Sequence, residues 1–333
     1  MELELAIYFP NMKRLDEMEE SLRYVDIQKI QSGLAAVIFP MNPNLAEYVA
    51  NSNALTWLDK LYREGHEFSR LYFGQEFCQN LIPGPNEIEQ SYFYSKQLGW
   101  NYTYVTGGYL TNVGIDKIRK NLDRLKEIGA EADGAEVVFN DWGVLRILRR
   151  DYPGFKPVLG RILNKQTRLN MFVYSPNEMP TLYTDIQTPF EEVQKNQINA
   201  YADISLNNPE YVEKLHAMGV ENVDMDIVPQ GTKRPADGWG MTLGYYYPWG
   251  FIATGRNCAT SGTTNSYRAY QVTEEPCPRP CQKYNCSPCI PPTDIPIIQR
   301  GPALMIFHTE YSEPYFEGKI PYERFIFEPY IPL

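Results

Sequence analysis

The sequence predicts an α/β protein built as a (β/α)8 TIM-like barrel, imperfect in places. Three observations point there. Strand-like and helix-like segments alternate over roughly the first 250 residues, as a parallel sheet with right-handed crossovers requires. The strand-like runs number about eight, the count that closes such a barrel. No G-x-G-x-x-G follows the first strand, which weakens the alternative, a doubly wound open sheet binding a dinucleotide.

The elements run in order. "LELAIYF" (3–9), "AAVIFPM" (35–41) and "SRLYFGQEF" (69–77) read as strands. "PNEIEQSYFYSKQLGW" reads as a helix opening on Pro85, followed by the β-rich "NYTYVTGGYL". In "NVGIDKIRKNLDRLKEIG" the residues Ile115, Ile118, Leu122, Leu125 and Ile128 recur every three or four positions, so they share one helical face, and Gly129 supplies the stop. "AEVVFNDWGVL" enters a strand and leaves it at Asn140-Asp141, and "KPVLGRIL" is another strand. The helices "TPFEEVQKNQINA" and "NPEYVEKLHAMGV" precede the strands "YADISL" and "NVDMDIV", and a last barrel strand fits "MTLGYYYPWGFIATG". Seven prolines between Pro276 and Pro296 forbid helix and disfavour central strand. The expected organisation is a barrel over residues 1–257, a Cys/Pro-rich cluster-binding loop over 258–296, and a β-like extension over 297–333 packed on the barrel.

Composition narrows the function. Apolar residues at 43% and charged residues at 22% of 333 suit a soluble globular protein. A net charge of -10 argues against a general DNA or RNA backbone binder. The acid-rich start shows no targeting segment and no run is long enough to span a bilayer, so the expected location is cytoplasmic, without a membrane span.

In that compartment clustered cysteines read as metal ligands before disulfides. Five of the six lie in one stretch, as Cys258, Cys277, Cys281, Cys286 and Cys289, with Cys78 far upstream. Cys277, Cys281, Cys286 and Cys289, spaced C-x3-C-x4-C-x2-C, could hold a structural zinc. Four thiolates could equally hold an iron–sulfur cluster. A radical S-adenosylmethionine site is set aside, because the second cysteine gap is four residues and the group follows the last strand. Cys78 and Cys258 each follow a predicted strand, so both are expected on the face of the barrel where sites are built. Taken alone, Cys78 reads as a small buried apolar residue.

At these residues the chain resembles the collagenase-like peptidase family of unknown mechanism (peptidase U family thirty-two) and, within it, the UbiV- and UbiU-like group. "LYFGQEFC" resembles that group's early strand and exit cysteine, and "VVFNDWGVLRIL" its mid-chain strand and turn. "VLGRILNKQTR" resembles the segment that follows, and "GRNCATSGTTNSYRAYQVTEEPCPRPCQKY" the late cysteine block. These landmarks fall in the expected order between about residues 70 and 285. The resemblance implies a (β/α) barrel carrying a [4Fe-4S] cluster on Cys78, Cys258, Cys277 and Cys281. It also implies oxygen-independent hydroxylation of a quinone precursor or an RNA base, as catalyst or accessory, and a heterodimer with a second barrel of the same family. Two features depart from the pattern. Eighteen residues separate Cys258 from Cys277, and Cys286 and Cys289 are extra, so either could replace Cys78 as fourth ligand.

Asp141, at a strand exit, is a candidate for orienting substrate, and Arg161 for binding an anion; an Asx-type turn and a strand-end salt bridge are the plainer readings. A non-catalytic, metal-stabilised partner subunit is the alternative function, with zinc as the alternative metal. A peptidase is the second alternative. It has only His66, His216 and His308 to draw on, and neither H-E-x-x-H nor G-x-S-x-G occurs.

Overall fold

The fold was established from a computed structural model, which describes residues 3–23, 54, 57–168, 190–228, 230–263, 265–268, 271, 277–283, 297–307 and 323–333. Eight parallel strands close a barrel in the order β1–β2–β3–β4–β5–β6–β7–β11. They are β1 (Glu4–Phe9), β2 (Phe68–Gly74), β3 (Asn101–Gly108), β4 (Glu136–Asn140), β5 (Lys156–Leu159), β6 (Asn222–Asp226), β7 (Thr242–Tyr247) and β11 (Arg324–Phe327). Around them lie α1 (Met12–Arg23), α2 (Pro85–Gln97), α3 (Asn112–Glu127), α4 (Trp142–Asp151), α5 (Phe190–Tyr201) and α6 (Pro209–Ala217). A separate antiparallel sheet joins β8 (Trp249–Ala253), β10 (Ala303–Phe307) and β9 (Ile297–Arg300), in that order. No helix among the described residues is long and apolar enough to cross a membrane.

The strands sort their side chains by the period of two. Leu5, Ile7 and Phe9, Leu71 and Phe73, Val137 and Phe139, and Phe325 and Phe327 point outward into the core shared with the helices. Between them Ala6, Tyr8, Tyr72, Val105, Val138, Val158, Tyr246 and Ile326 point inward and form a separate cluster on the barrel axis. The α3 stripe meets the outer core as its spacing predicts, with Ile118, Leu122 and Leu125 fully buried. A third cluster, including Phe77, Trp249, Phe251, Met305, Ile331 and Leu333, packs the small sheet onto segments that leave the C-terminal ends of β2 and β11. That end is the mouth of the barrel, and the small sheet covers it.

Three expectations about the elements change. The run "MTLGYYYPWGFIATG" divides at Pro248 into β7, which stays in the barrel, and β8, which starts the small sheet. The stretch expected to be a peripheral extension supplies β11, whose register with both β1 and β7 closes the barrel, so the barrel does not end at residue 257. "YADISL" is not a strand. It ends α5 and enters a 3-10 turn, Ser205–Asn207, because Asp203 accepts the Ile204 amide and the Asn207 side chain, and Asn208-Pro209 then caps α6. "AAVIFPM" lies outside the described residues.

Candidate functional site

A cleft at the barrel mouth is lined by Cys78, Cys258, Cys277 and Cys281, all four free thiols. Cys78 reaches it because β2 ends on Gly74 at φ +138, where a side chain would collide with the Val105 carbonyl of β3; only glycine fits that crossing. The chain then runs through Glu76 and Phe77 to Cys78, the extended residue that precedes a 3-10 turn at Gln79–Leu81. Cys258 follows β8 rather than a barrel strand, so the small sheet carries it over the mouth. Cys277 and Cys281 flank a tight turn in which Arg279 takes the left-handed conformation at φ 57, unusual for a residue with a side chain. The turn is tied to the small sheet by Arg300, whose Nε donates to the Cys281 carbonyl at 3.0 Å.

Each sulfur faces a hydrogen-bond donor. The Asn80 amide is aimed at Cys78, and the Thr260 and Ser261 amides at Cys258. The Arg279 amide stands 3.4 Å from the Cys277 Sγ, and the Gln282 side-chain nitrogen 3.8 Å from the Cys281 Sγ. A neutral thiol is a weak acceptor, whereas a thiolate or metal-bound sulfur is a good one. As bare thiols, Cys78, Cys258 and Cys281 are held protonated by their surroundings. Burial pushes Cys78 up to about 12 and raises Cys258 and Cys281, and the neighbouring sulfurs add to each shift. Bringing four thiolates together therefore calls for a cationic centre to offset their charge.

No three His, Cys, Asp or Glu side chains among the described residues are gathered as a site for one metal ion. A single tetrahedral zinc needs its sulfurs only about 3.8 Å apart, from Zn–S bonds near 2.3 Å. A four-iron cubane anchors one cysteine at each separate corner and so holds its sulfurs wider. The four sulfurs share the cleft, with no carboxylate among its described lining residues. Cys286 and Cys289, needed for the local zinc reading, lie outside the described residues, as does His308. His66 and His216 do not line the cleft; His216 Nε2 instead sits 3.0 Å from the Trp239 carbonyl.

The two other candidates are structural. Asp141 caps α4, accepting from the Gly143 amide at 2.8 Å, so its carboxylate is occupied by the helix start. Arg161 is fully buried beneath the small sheet and has no room for a free anion. Its guanidinium donates to Glu76 at 2.6 Å, Glu328 at 2.6 Å, Asp226 at 2.9 Å and the Trp249 carbonyl at 3.1 Å, and it stacks 3.8 Å over Tyr246. Arg168 joins through Asp226 and the Arg161 carbonyl. Two guanidiniums face three carboxylates in this buried group, and burial raises the pKa of Glu76 and Glu328. The mouth is thus plugged at its centre, and the open space lies to one side, at the cysteines.

Sequence reading missed Glu76, Asp226, Glu328 and Arg168. The signal was present for three: Glu76 lies inside "LYFGQEFC", Arg168 ends "VLGRILNKQTR", and the acids of "NVDMDIV" alternate with apolar residues, which turns both toward the axis of a barrel strand. It also passed over the cleft arginines, Arg256, Arg268 and Arg279, although two of them lie within two residues of a cysteine. No known protein family, curated protein or solved structure matches the chain.

Proposed function

We propose that the cleft holds a [4Fe-4S] cluster on Cys78, Cys258, Cys277 and Cys281, and that the protein works in oxygen-independent hydroxylation. The observation that supports this most is Cys78. A cysteine remote in sequence faces the same cleft as the other three, and every one of the four sulfurs has a donor beside it. When bound, the cluster would supply one-electron transfer or, at an iron with a labile ligand, a Lewis-acidic position. The chain's own residues hold the thiolates through amide donors and fix an irregular, proline-broken backbone. They also place Arg256, Arg268 and Arg279 around an anionic centre. The hydroxylase class, with a quinone precursor or RNA base as substrate, rests on the four quoted motifs.

A second reading has an observation of its own. The Arg161 plug and the small sheet occupy the place where a barrel enzyme keeps its substrate, which favours a cluster-bearing subunit whose barrel partner supplies the catalytic pocket. A peptidase is disfavoured, because no described histidine lines the thiol cleft to make a Cys–His pair.

The test is iron and acid-labile sulfide per chain after anaerobic purification, with absorbance spectra. It is run on the wild type, Cys78→Ala, Cys258→Ala and the Cys286→Ala/Cys289→Ala double variant. About four of each, lost in both single variants and kept in the double, is the expected result. Colourless protein carrying zinc that only the double variant loses would overturn the proposal.

A further inference from the structure

The outer wall of the barrel carries a trough, away from the cysteine cleft. α4 buries Val144, Ile147 and Leu148 and turns Trp142, Arg146 and Arg149 outward, one helical turn apart, with Arg150 beside them. Between this face and the end of α6 lie two hollows of about 480 and 330 Å³. Arg149 and Met218 line both, so the two form one trough, which runs on past α4 to Phe155 and Pro157. Trp142 is 43% exposed at its head. The indole is nevertheless fixed, edge-on to Tyr211 of α6 at 6.3 Å and packed on Phe139 at 5.8 Å. A large ring held in place and left open to solvent is apolar surface without a cover.

The cations beside it are spare. The side chains of Arg146 and Arg149 make no ion pair among the described residues, whereas Arg150 and Arg119 share Asp151. No Asp or Glu lines the trough among the described residues. Residues 136–168 and 202–228 are all described, so the acids next to the trough in sequence can be placed. Asp141 caps α4, Asp151 is paired, Glu210 lies exposed in the first turn of α6, and Glu213 lines a separate hollow against Trp239.

We propose that the α4–α6 trough is the docking site for an acidic amphipathic helix of a partner protein. Trp, Arg and Met are the residue types that interface centres collect. An apolar floor flanked by unpaired guanidiniums is complementary to a helix whose apolar stripe is bordered by Asp or Glu. The pitch agrees. The ten residues of α4 run about 15 Å, and acids one turn apart on a helix laid beside it meet Arg146 and Arg149 in succession. A second copy of this chain is the poorer occupant, because trough against trough across a twofold axis sets arginine against arginine. The site does not depend on what the cysteines hold.

The probe is a fluorescein-labelled, stapled helical peptide of about 14 residues, long enough to span α4. Leucines form one stripe and glutamates border it; a control peptide carries glutamine in place of every glutamate. Binding to the purified full chain is read by fluorescence anisotropy at low and high salt. The glutamate peptide should bind about tenfold tighter than the glutamine peptide at low salt, and the difference should shrink at high salt. Arg146→Glu and Arg149→Glu should each weaken it about tenfold, Arg149→Lys should keep most of the affinity, and Trp142→Ala should weaken it at both salt concentrations. Lys13→Glu, a reversal on an exposed side chain of α1, should leave it unchanged. The arginine variants alter exposed side chains and should melt with wild type, so the test does not rest on Trp142→Ala alone. No binding of the glutamate peptide, equal binding to wild type and Arg149→Glu, or equal weakening by Lys13→Glu would each overturn the site. Light scattering that shows a dimer dispersed by Arg149→Glu would overturn it in favour of a second copy. Binding to phosphatidylserine vesicles with none to the peptide would overturn it in favour of a membrane surface.

Discussion

Asp224 sits on the barrel axis with the hydroxyls of Tyr72 and Tyr246 at 3.4 and 3.3 Å from its two oxygens and no salt bridge among the described residues. Burial lifts its pKa from 3.8 to about 7, a rise that Glu136 and Glu76 reinforce and Arg324 opposes. Between those values the folded protein keeps a proton that the unfolded chain releases. Its contribution to stability is therefore complete below about pH 4 and is lost as the pH climbs toward about 7. Asp224→Asn keeps the shape and removes the titration. Its melting temperature should exceed that of wild type at about pH 8, with a smaller difference at about pH 5; parallel profiles would show that Asp224 is already ionised in the fold. Arg161 gives the opposite case. Arg161→Met would leave Glu76, Asp226 and Glu328 buried without their shared cation, at a cost of about 3–5 kcal/mol. Denaturant unfolding should show a loss of that order, and a variant as stable as wild type would mean the buried acids do not depend on the Arg161 charge.

At the scale of elements, what was legible depended on whether the determining contacts were local. The α3 stripe, the Pro85 start of α2 and the short apolar runs of β2, β4 and β6 carry their reasons within a few residues, and they fold as read. "YADISL" has strand-like composition, but its conformation is decided by Asp203 and the Asn208-Pro209 cap, which favour a turn. β11 is short, and its strand identity comes from pairing with β1 and β7 at opposite ends of the chain order, which no local pattern encodes. The same division runs through the site. The late cysteines were visible by spacing, whereas the Arg161 cluster draws on three separate strand exits and the covering sheet. Asp141 lies between these cases, since its motif suggested chemistry and its place at the start of α4 makes it a cap. Asp141→Asn should therefore be nearly neutral, and Asp141→Ala should lose about 1 kcal/mol in chemical denaturation. A loss of activity in Asp141→Asn with stability unchanged would restore the catalytic reading.

At the scale of the molecule, one system holds the mouth closed, and the proposed cluster would add a second that is chemically independent of it. One is the outer and axial packing of the barrel with the Arg161 group at its top, which needs no metal. The other would be the cysteine set, which a bound cluster would use to tie the β2 exit to the segment after β8 and to the turn at 277–281. That turn is short of ladder hydrogen bonds and rich in proline, so its order depends on side-chain anchors such as Arg300 and on whatever links the four sulfurs. Removing a cluster should then loosen one region and spare the other, because local opening follows local contacts. In limited proteolysis the cluster-free protein and Cys258→Ala should be cut first between residues 258 and 283, while fragments containing β1–β7 stay protected at the same protease dose. Hydrogen exchange should show the same split, with faster exchange at Asn80, Ser261 and Arg279 and unchanged protection in β3 and β4. Uniform loss of protection across the barrel would mean that the cysteines staple the whole fold rather than its cap, and that the Arg161 group is insufficient to hold the mouth on its own.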